Sequence, residues 1–209
     1  MRGAALALVA ALAAGPALGH YGETHAVGPP APAAAALAFS TATAFPSAIG
    51  GSYQLIDQTG APRSQADPAG RPQLVFFGYA GCPGICSAVF PTLAALTDRL
   101  RAAGTPVTPI LITVDQAIDT VESLGPAAAR IHPDLVALTG SSEALAAARA
   151  AFQVEAKLLF VSPEHGPIYS HGSFVYLLDA QGAFLTLLPP ILSPGRMAEI
   201  ALTYLRAPE

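Results

Sequence analysis

Leu74-Val75-Phe76-Phe77-Gly78-Tyr79 is a continuous apolar run behind a proline, of the length of a strand buried on both faces. Upstream, Gly50-Gly51 precedes Ser52-Tyr53-Gln54-Leu55-Ile56-Asp57, and Gln58-Thr59-Gly60 supplies turn residues for a return strand, so a small hairpin is predicted at the domain entrance. Downstream, Val89, Leu93, Leu96 and Leu100 recur at helical spacing, and Ala-rich stretches over 120–130 and 142–152 predict two more helices. Residues 108–114 and 135–138 read as strands between them. The last third predicts strands over 154–161, 173–178 and 183–188, with Gln181-Gly182 turning the last pair. A closing helix starts at Ser193, an N-cap residue followed by Pro194. Strands alternating with helices, then a hairpin and a helix, predict one mixed α/β sheet with helices on its faces. Pro91 sits inside the first helical pattern and predicts either a kink or a restart there.

The first fifty residues have a different texture. Met1-Arg2 followed by an uncharged apolar run to Ala14 reads as a secretory signal, ended by Gly15-Pro16. Ala17-Leu18-Gly19 places small residues for cleavage before His20, and the alternative is a retained anchor over 3–22. Residues 20–44, with Gly28-Pro29-Pro30-Ala31-Pro32 and an Ala run, read as a tether. The expected organisation is a leader over 1–19, a tether over 20–44 and one folded domain over 45–209, on the periplasmic side or the outer face of an inner membrane. Any membrane contact is expected only through the N-terminal anchor.

Composition narrows the function. The 209 residues are 52% hydrophobic, enough for a continuous core. The formal net charge of −4 arises from 14 acidic and 10 basic residues without a basic cluster, which excludes nucleic acid as a natural partner.

The 2 cysteines, Cys82 and Cys86, lie four positions apart in Gly81-Cys82-Pro83-Gly84-Ile85-Cys86. A disulfide closing so small a loop contributes about 2 kcal/mol, against about 4 for one spanning half a domain, so chemistry explains the spacing better than stabilisation does. Carrying the stripe of Val89, Leu93 and Leu96 backwards reaches both cysteines, so both sulfurs are expected on one face of a helix start, where thiolates are favoured. Two thiolates make a soft site suited to Cu(I) or Zn(II). The same pair also reads as a catalytic dithiol.

Of the 5 histidines, His171 is best placed to complete a metal site, in the loop that leads into the strand over 173–178. Tyr169-Ser170-His171-Gly172-Ser173 holds no proline where thioredoxin-type reductases place one, which moves the balance toward metal. His132, before Pro133, reads as a surface turn residue, and His165 as a loop residue near the site. His20 and His25 read as tail residues, although a free amine beside His20 after cleavage can chelate Cu(II). Asp115 and Asp119 follow a strand and read as caps of the next helix.

Taken in order, several segments resemble the Sco/SenC copper proteins that assemble the CuA centre of cytochrome c oxidase. They are Phe76-Phe77-Gly78-Tyr79 through Cys82-Pro83 and Cys86, Val114-Asp115 with Asp119-Thr120, Leu138-Thr139-Gly140, and His171 before Phe174-Val175-Tyr176-Leu177-Leu178-Asp179. The resemblance runs from about Gly50 to Leu205. It implies a thioredoxin-like mixed sheet with an N-terminal hairpin, and one copper ion, as Cu(I) with Cu(II) left open, held by Cys82, Cys86 and His171. It also implies a metallochaperone delivering copper to the apo-CuA domain of cytochrome c oxidase subunit II or to another periplasmic copper protein. Two positions depart from the family pattern: Ser87 stands where members often carry a proline, and Ser170 where they carry an acid that can accept the imidazole N–H.

The competing reading is a thiol-disulfide oxidoreductase that keeps the partner's CuA cysteines reduced through Cys82 and Cys86. A peroxidase is a third class, but it needs a cation beside its thiolate, and the sequence has no Arg between Arg71 and Arg99.

Overall fold

The computed structural model describes residues 48–84 and 86–206. The expected leader and tether, with His20 and His25, lie outside the described residues. Seven strands form one sheet in the order β2-β1-β5-β4-β3-β8-β9, and β6 pairs with β7 in a separate two-stranded ribbon. The strands are β1 (Leu55–Asp57), β2 (Pro62–Arg63), β3 (Gln73–Gly78), β4 (Thr108–Thr113), β5 (Val136–Thr139), β6 (Ala156–Ser162), β7 (Gly166–His171), β8 (Val175–Leu178) and β9 (Phe184–Leu188). The helices are α1 (Cys86–Ala102), α2 (Val121–Ile131), α3 (Ser142–Ala151) and α4 (Pro194–Leu205). Among the described residues no helix is long and apolar enough to cross a membrane.

The strand β3 lies inside the sheet, parallel to β4 on one side and antiparallel to β8 on the other, and all six of its residues are buried. Because successive side chains alternate faces, Leu74 and Phe76 join Val89, Leu93, Leu96 and Leu100 of α1, together with residues of α2 and α4. Val75 and Phe77 turn the other way and meet Leu145 and Ala148 of α3, with Phe152. A strand buried on both faces has no room for a polar pattern, which explains the uninterrupted apolar run.

The predicted entrance hairpin forms as β1 and β2, with Leu55 opposite Arg63. Asp57 Oδ1 accepts from the N–H groups of Thr59 and Ala61, and Gly60 takes the left-handed conformation (φ 83°) that closes the turn. Ser193 caps α4, its hydroxyl accepting the Arg196 N–H, with Pro194 in the first turn as expected.

The structure decides or corrects the sequence expectation in four places outside the site. First, of the two outcomes expected at Pro91, a kink or a restart, the restart does not occur, since α1 is one continuous helix with Pro91 inside it. Second, residues 166–171 were expected to be loop but form β7, and with it β6 leaves the main sheet. Third, Asp115 and Asp119 do not cap α2. Thr120 does: its hydroxyl accepts the Ser123 N–H while Ser123 Oγ accepts the Thr120 N–H, a reciprocal capping box. Fourth, His132 is buried rather than exposed, because both ring nitrogens find partners, Nε2 with Asp98 at 3.3 Å and Nδ1 with the Asp134 N–H at 3.1 Å.

Candidate metal centre

The three side chains singled out in the sequence converge. Cys82 Sγ, Cys86 Sγ and one ring nitrogen of His171 all lie within 4.8 Å of one another, the one such His/Cys/acid group found among the described residues. His171 Nε2 is 3.5 Å from Cys86 Sγ and 4.0 Å from Cys82 Sγ. Both cysteines are free thiols; Cys86 is buried and Cys82 half-buried.

They are not brought together as two positions on one helix face. The helix α1 begins at Cys86, and Cys82 precedes it in a turn whose N–H donates to Tyr79 O at 3.2 Å. Pro83 and Gly84, both poor interior helix residues, follow Cys82 and lie outside the helix. Ser87, at the position where a proline was expected, ties the helix start back to that turn: its N–H and its hydroxyl both donate to Gly84 O, at 3.1 and 2.6 Å.

Gly78, at the end of β3, leaves room for the site. A Cβ there would stand 2.6 Å from Phe76 Cε1 and 3.2 Å from Cys86 Sγ. The turn that follows is held from β4 and the segment after it, where Asp119 Oδ2 accepts the Ala80 N–H at 3.0 Å and the Thr113 hydroxyl at 2.7 Å. Burial pushes the Asp119 carboxyl above its ordinary range, outweighing those two donors. Asp115 is 2% exposed and faces Tyr169, whose phenol is raised by burial first and then by this carboxylate.

His171 arrives at the end of β7. Its Nδ1 faces Gly172 O at 2.9 Å, so with the Nδ1 proton donated to that carbonyl, Nε2 presents its lone pair toward the sulfurs. The backbone thereby fills the role of the acid that Ser170 does not supply; Ser170 Oγ points instead to Lys157 O at 3.4 Å. The imidazole lies edge-on to the rings of Phe76 and Tyr79, with centroids 5.8 and 6.0 Å away. Tyr79 reaches β7 as well, its hydroxyl accepting the Tyr169 N–H at 3.5 Å.

These contacts set the ionisation of the group. The Cys86 thiol donates to Cys82, holding Cys82 as a thiolate down to about pH 4 despite its partial burial. The same bond pushes the Cys86 thiol upward, with burial and the neighbouring negative charge acting in the same sense. The pair therefore holds one negative charge near neutrality and titrates as a unit. Burial alone would lower the His171 imidazole, but the Cys82 thiolate and the Gly172 carbonyl outweigh it and raise it. Tyr79 is pushed up to about 12, by burial first and then by the two sulfurs.

The model of the SCO1/SenC family matches residues 41–206. The chain belongs to the SCO1/SenC family. Protein SenC of Rhodobacter capsulatus is 34% identical over 160 residues, which cover 76% of this chain and 72% of that one. Among solved structures, Arabidopsis thaliana ScoI with copper bound matches with a TM-score of 0.71 at 25% identity, covering 76% of this chain and 99% of that one. Bradyrhizobium japonicum ScoI with copper bound matches with a TM-score of 0.62 at 28% identity, over 75% and 99% of the two chains. The likeness bears out the thioredoxin-like fold class as well as the SCO1/SenC resemblance.

Neither of the other expected candidates joins the group, although His165 lines a hollow together with Cys82, in keeping with its expected place near the site. His132 is satisfied by Asp98 and Asp134, and His165 is half-exposed with its Nε2 3.8 Å from Glu164. Several supporting residues were missed in the sequence. Gly78, Asp119 and Tyr79 all fall in the segments that carry the SCO1/SenC resemblance, which was the available signal. The role of Gly172 had none, because a backbone carbonyl is the same in every residue.

Proposed function

We propose that this protein binds one copper ion through Cys82, Cys86 and His171 and delivers it, outside the cytoplasm, to the apo-CuA domain of cytochrome c oxidase subunit II or to another periplasmic copper protein. The carrying observation is the convergence of two sulfurs and one imidazole nitrogen within 4.8 Å. A three-coordinate ion with bonds of about 2.2 Å sets its ligand atoms about 3.8 Å apart, and the Nε2–Sγ distances of 3.5 and 4.0 Å bracket that spacing. Two thiolates and one neutral imidazole are soft donors, the set that favours Cu(I) over hard cations. Membership of the SCO1/SenC family and the copper-bound ScoI structures support the same reading. The test is anaerobic titration of the reduced full chain with Cu(I). One copper per chain is expected, and undiminished uptake by Cys82→Ser would sink the reading.

A second reading is favoured by one observation, the asymmetry of the thiols. A half-exposed Cys82 thiolate beside a buried, protonated Cys86 is the arrangement of an attacking and a resolving thiol. In that reading the pair reduces a disulfide of the acceptor, and equimolar reduction of an oxidised CuA domain by the copper-free chain is the measurement that supports it.

A further inference from the structure

Exposed apolar side chains are ordinary when scattered, and informative when they gather at one place. Here they gather at two hollows, one lined by Cys82 itself and one lined by residues that follow Cys86 and His171 in the chain. The first, of about 250 Å³, is walled by Cys82 with Tyr79, Phe160, Ile168 and Tyr169, and the ribbon strand β6 forms its rim. Leu158, Leu159, Phe160 and Val161 of that strand are exposed by 48, 57, 59 and 65%. A second hollow, of about 440 Å³, is walled by Val89, Phe174, Pro189, Pro190 and Ile191. Ile191 is 91% exposed and Phe174 43%. Val89 lies three residues beyond Cys86, and Phe174 three beyond His171, so the second hollow continues the two segments that carry those groups.

We infer that these two hollows form a docking face for a folded copper acceptor, which seats one apolar side chain in each while its own metal ligands reach Cys82 at the wall of the first. The inference rests on the copper-transfer reading. Handing over an ion by ligand exchange requires the acceptor's ligands to approach the half-exposed Cys82, and whatever touches Cys82 covers the wall of the first hollow. No Lys, Arg, Asp or Glu lines either hollow, and the charged or titratable groups at the first are the site's own Cys82, with His165 and the two tyrosines, so the remaining wall offers mainly apolar contact. Pro189 and Pro190 offer no N–H to an added strand, which leaves side-chain insertion as the way to occupy the second hollow. A second copy docked through the same face would set Cys82 against Cys82 and close the site to any acceptor.

The experiment uses the reduced full chain and, as probe, the soluble apo-CuA domain of the same organism's cytochrome c oxidase subunit II. Phe160→Glu and Ile191→Glu are compared with Phe160→Leu and Ile191→Val; both positions are exposed, so the fold is retained. Each Glu variant is expected to take up one copper per chain as the parent does, yet to bind the probe about tenfold or more weakly and to transfer copper correspondingly slowly. The Leu and Val variants are expected to match the parent, and added salt to change little. Probe binding and transfer unchanged in both Glu variants would overturn the inference. So would a parent that sediments as a dimer and Glu variants that sediment as monomers, since the face would then belong to a second copy. If the parent takes up no copper but binds the probe, and the Glu variants lose that binding, the docking face stands and the copper reading falls.

Discussion

His171 Nε2 stands 3.5 Å from Cys86 Sγ although 85 positions separate the two residues in the chain. The helix α1 brings the sulfur from one side and the ribbon strand β7 brings the imidazole from the other, and β3 lies beneath both through Phe76 and Gly78. The group therefore exists only in the folded chain, and its binding free energy adds to folding free energy when a metal occupies it.

The three side chains are not equivalent, and their removal separates them. Cys82→Ser and Cys86→Ser are each expected to remove nearly all copper uptake, because a hydroxyl brings neither the charge nor the softness of a thiolate. His171→Ala is expected to leave a weaker two-sulfur complex open to an external ligand. X-ray absorption of the loaded variant checks this, and an unchanged nitrogen scatterer would place the third ligand elsewhere.

Gly78→Ala tests the packing beneath the site. The added methyl meets Phe76 at 2.6 Å and Cys86 Sγ at 3.2 Å, and Phe76 is fully buried with little room to move. Overpacking of this kind costs about 1–3 kcal/mol, so the urea midpoint is expected to fall with an unchanged slope. Copper affinity falls with it, because the sulfur is displaced. A variant as stable as the parent would mean that the ring relaxes freely.

Asp119→Ala leaves the Ala80 N–H and the Thr113 hydroxyl without their acceptor. Two donors stranded beside the Cys82 turn are expected to cost about 2–3 kcal/mol in total, partly offset because the buried carboxylate no longer has to be desolvated. Urea unfolding gives the size, and faster amide exchange at Ala80 would localise it. Unaltered exchange there would show that the turn is held by other contacts.

The main sheet was legible because its signals are local. A doubly buried strand must be apolar throughout, and a helix face repeats its apolar residues, so β3 and the stripe of α1 stand out without any tertiary knowledge. The ribbon β6–β7 was legible only in half, since Ser162-Pro163 and Gly166-Pro167 imitate loop, and pairing across a turn is not written in the composition of one strand. His132 was misread because its partner Asp98 lies 34 positions away on α1 and meets it only in the fold. The same reason separates the two halves of the site: the Cys82 and Cys86 spacing is visible in the chain, whereas the hydrogen bond of His171 to Gly172 O belongs to a backbone conformation. The expectation that both sulfurs project from helix failed on a local rule that was readable, the Pro83-Gly84 pair.

Proton release follows from the unequal thiols. Near pH 8 Cys82 is already a thiolate, while the raised Cys86 thiol still carries its proton, so copper uptake is expected to release about one proton per ion. As pH falls through the raised pKa of His171 the imidazole must also be deprotonated, and the release climbs toward about two. Protons are products of binding, so affinity falls on acidification and falls more steeply on the acid side. Calorimetry in buffers of different ionisation enthalpy measures the count. In the copper-free chain at pH 6, iodoacetamide is expected to modify Cys82 well before Cys86, and the reverse order by peptide mapping would contradict the assignment of the thiolate.

Oxidation provides the last test, because a disulfide sulfur no longer offers the thiolate that copper needs. The two sulfurs lie within 4.8 Å of each other and must close to about 2.05 Å to bond. Since Cys82 precedes α1 rather than belonging to it, that closure is available from the turn, with Gly81 and Gly84 on either side of Cys82 and Pro83, without unwinding a helical turn. A mild oxidant is therefore expected to convert the copper-free chain to the intramolecular disulfide, with loss of both free thiols and of copper uptake, and a dithiol reductant to restore both. Bound copper is expected to protect the thiols from the same oxidant and from alkylation. The measurement is a thiol count paired with a copper titration at each stage, on the copper-free, oxidised and re-reduced chain. Equal uptake by the oxidised and reduced forms would show that the sulfurs are not ligands, and would leave the pair to thiol-disulfide exchange with its partner.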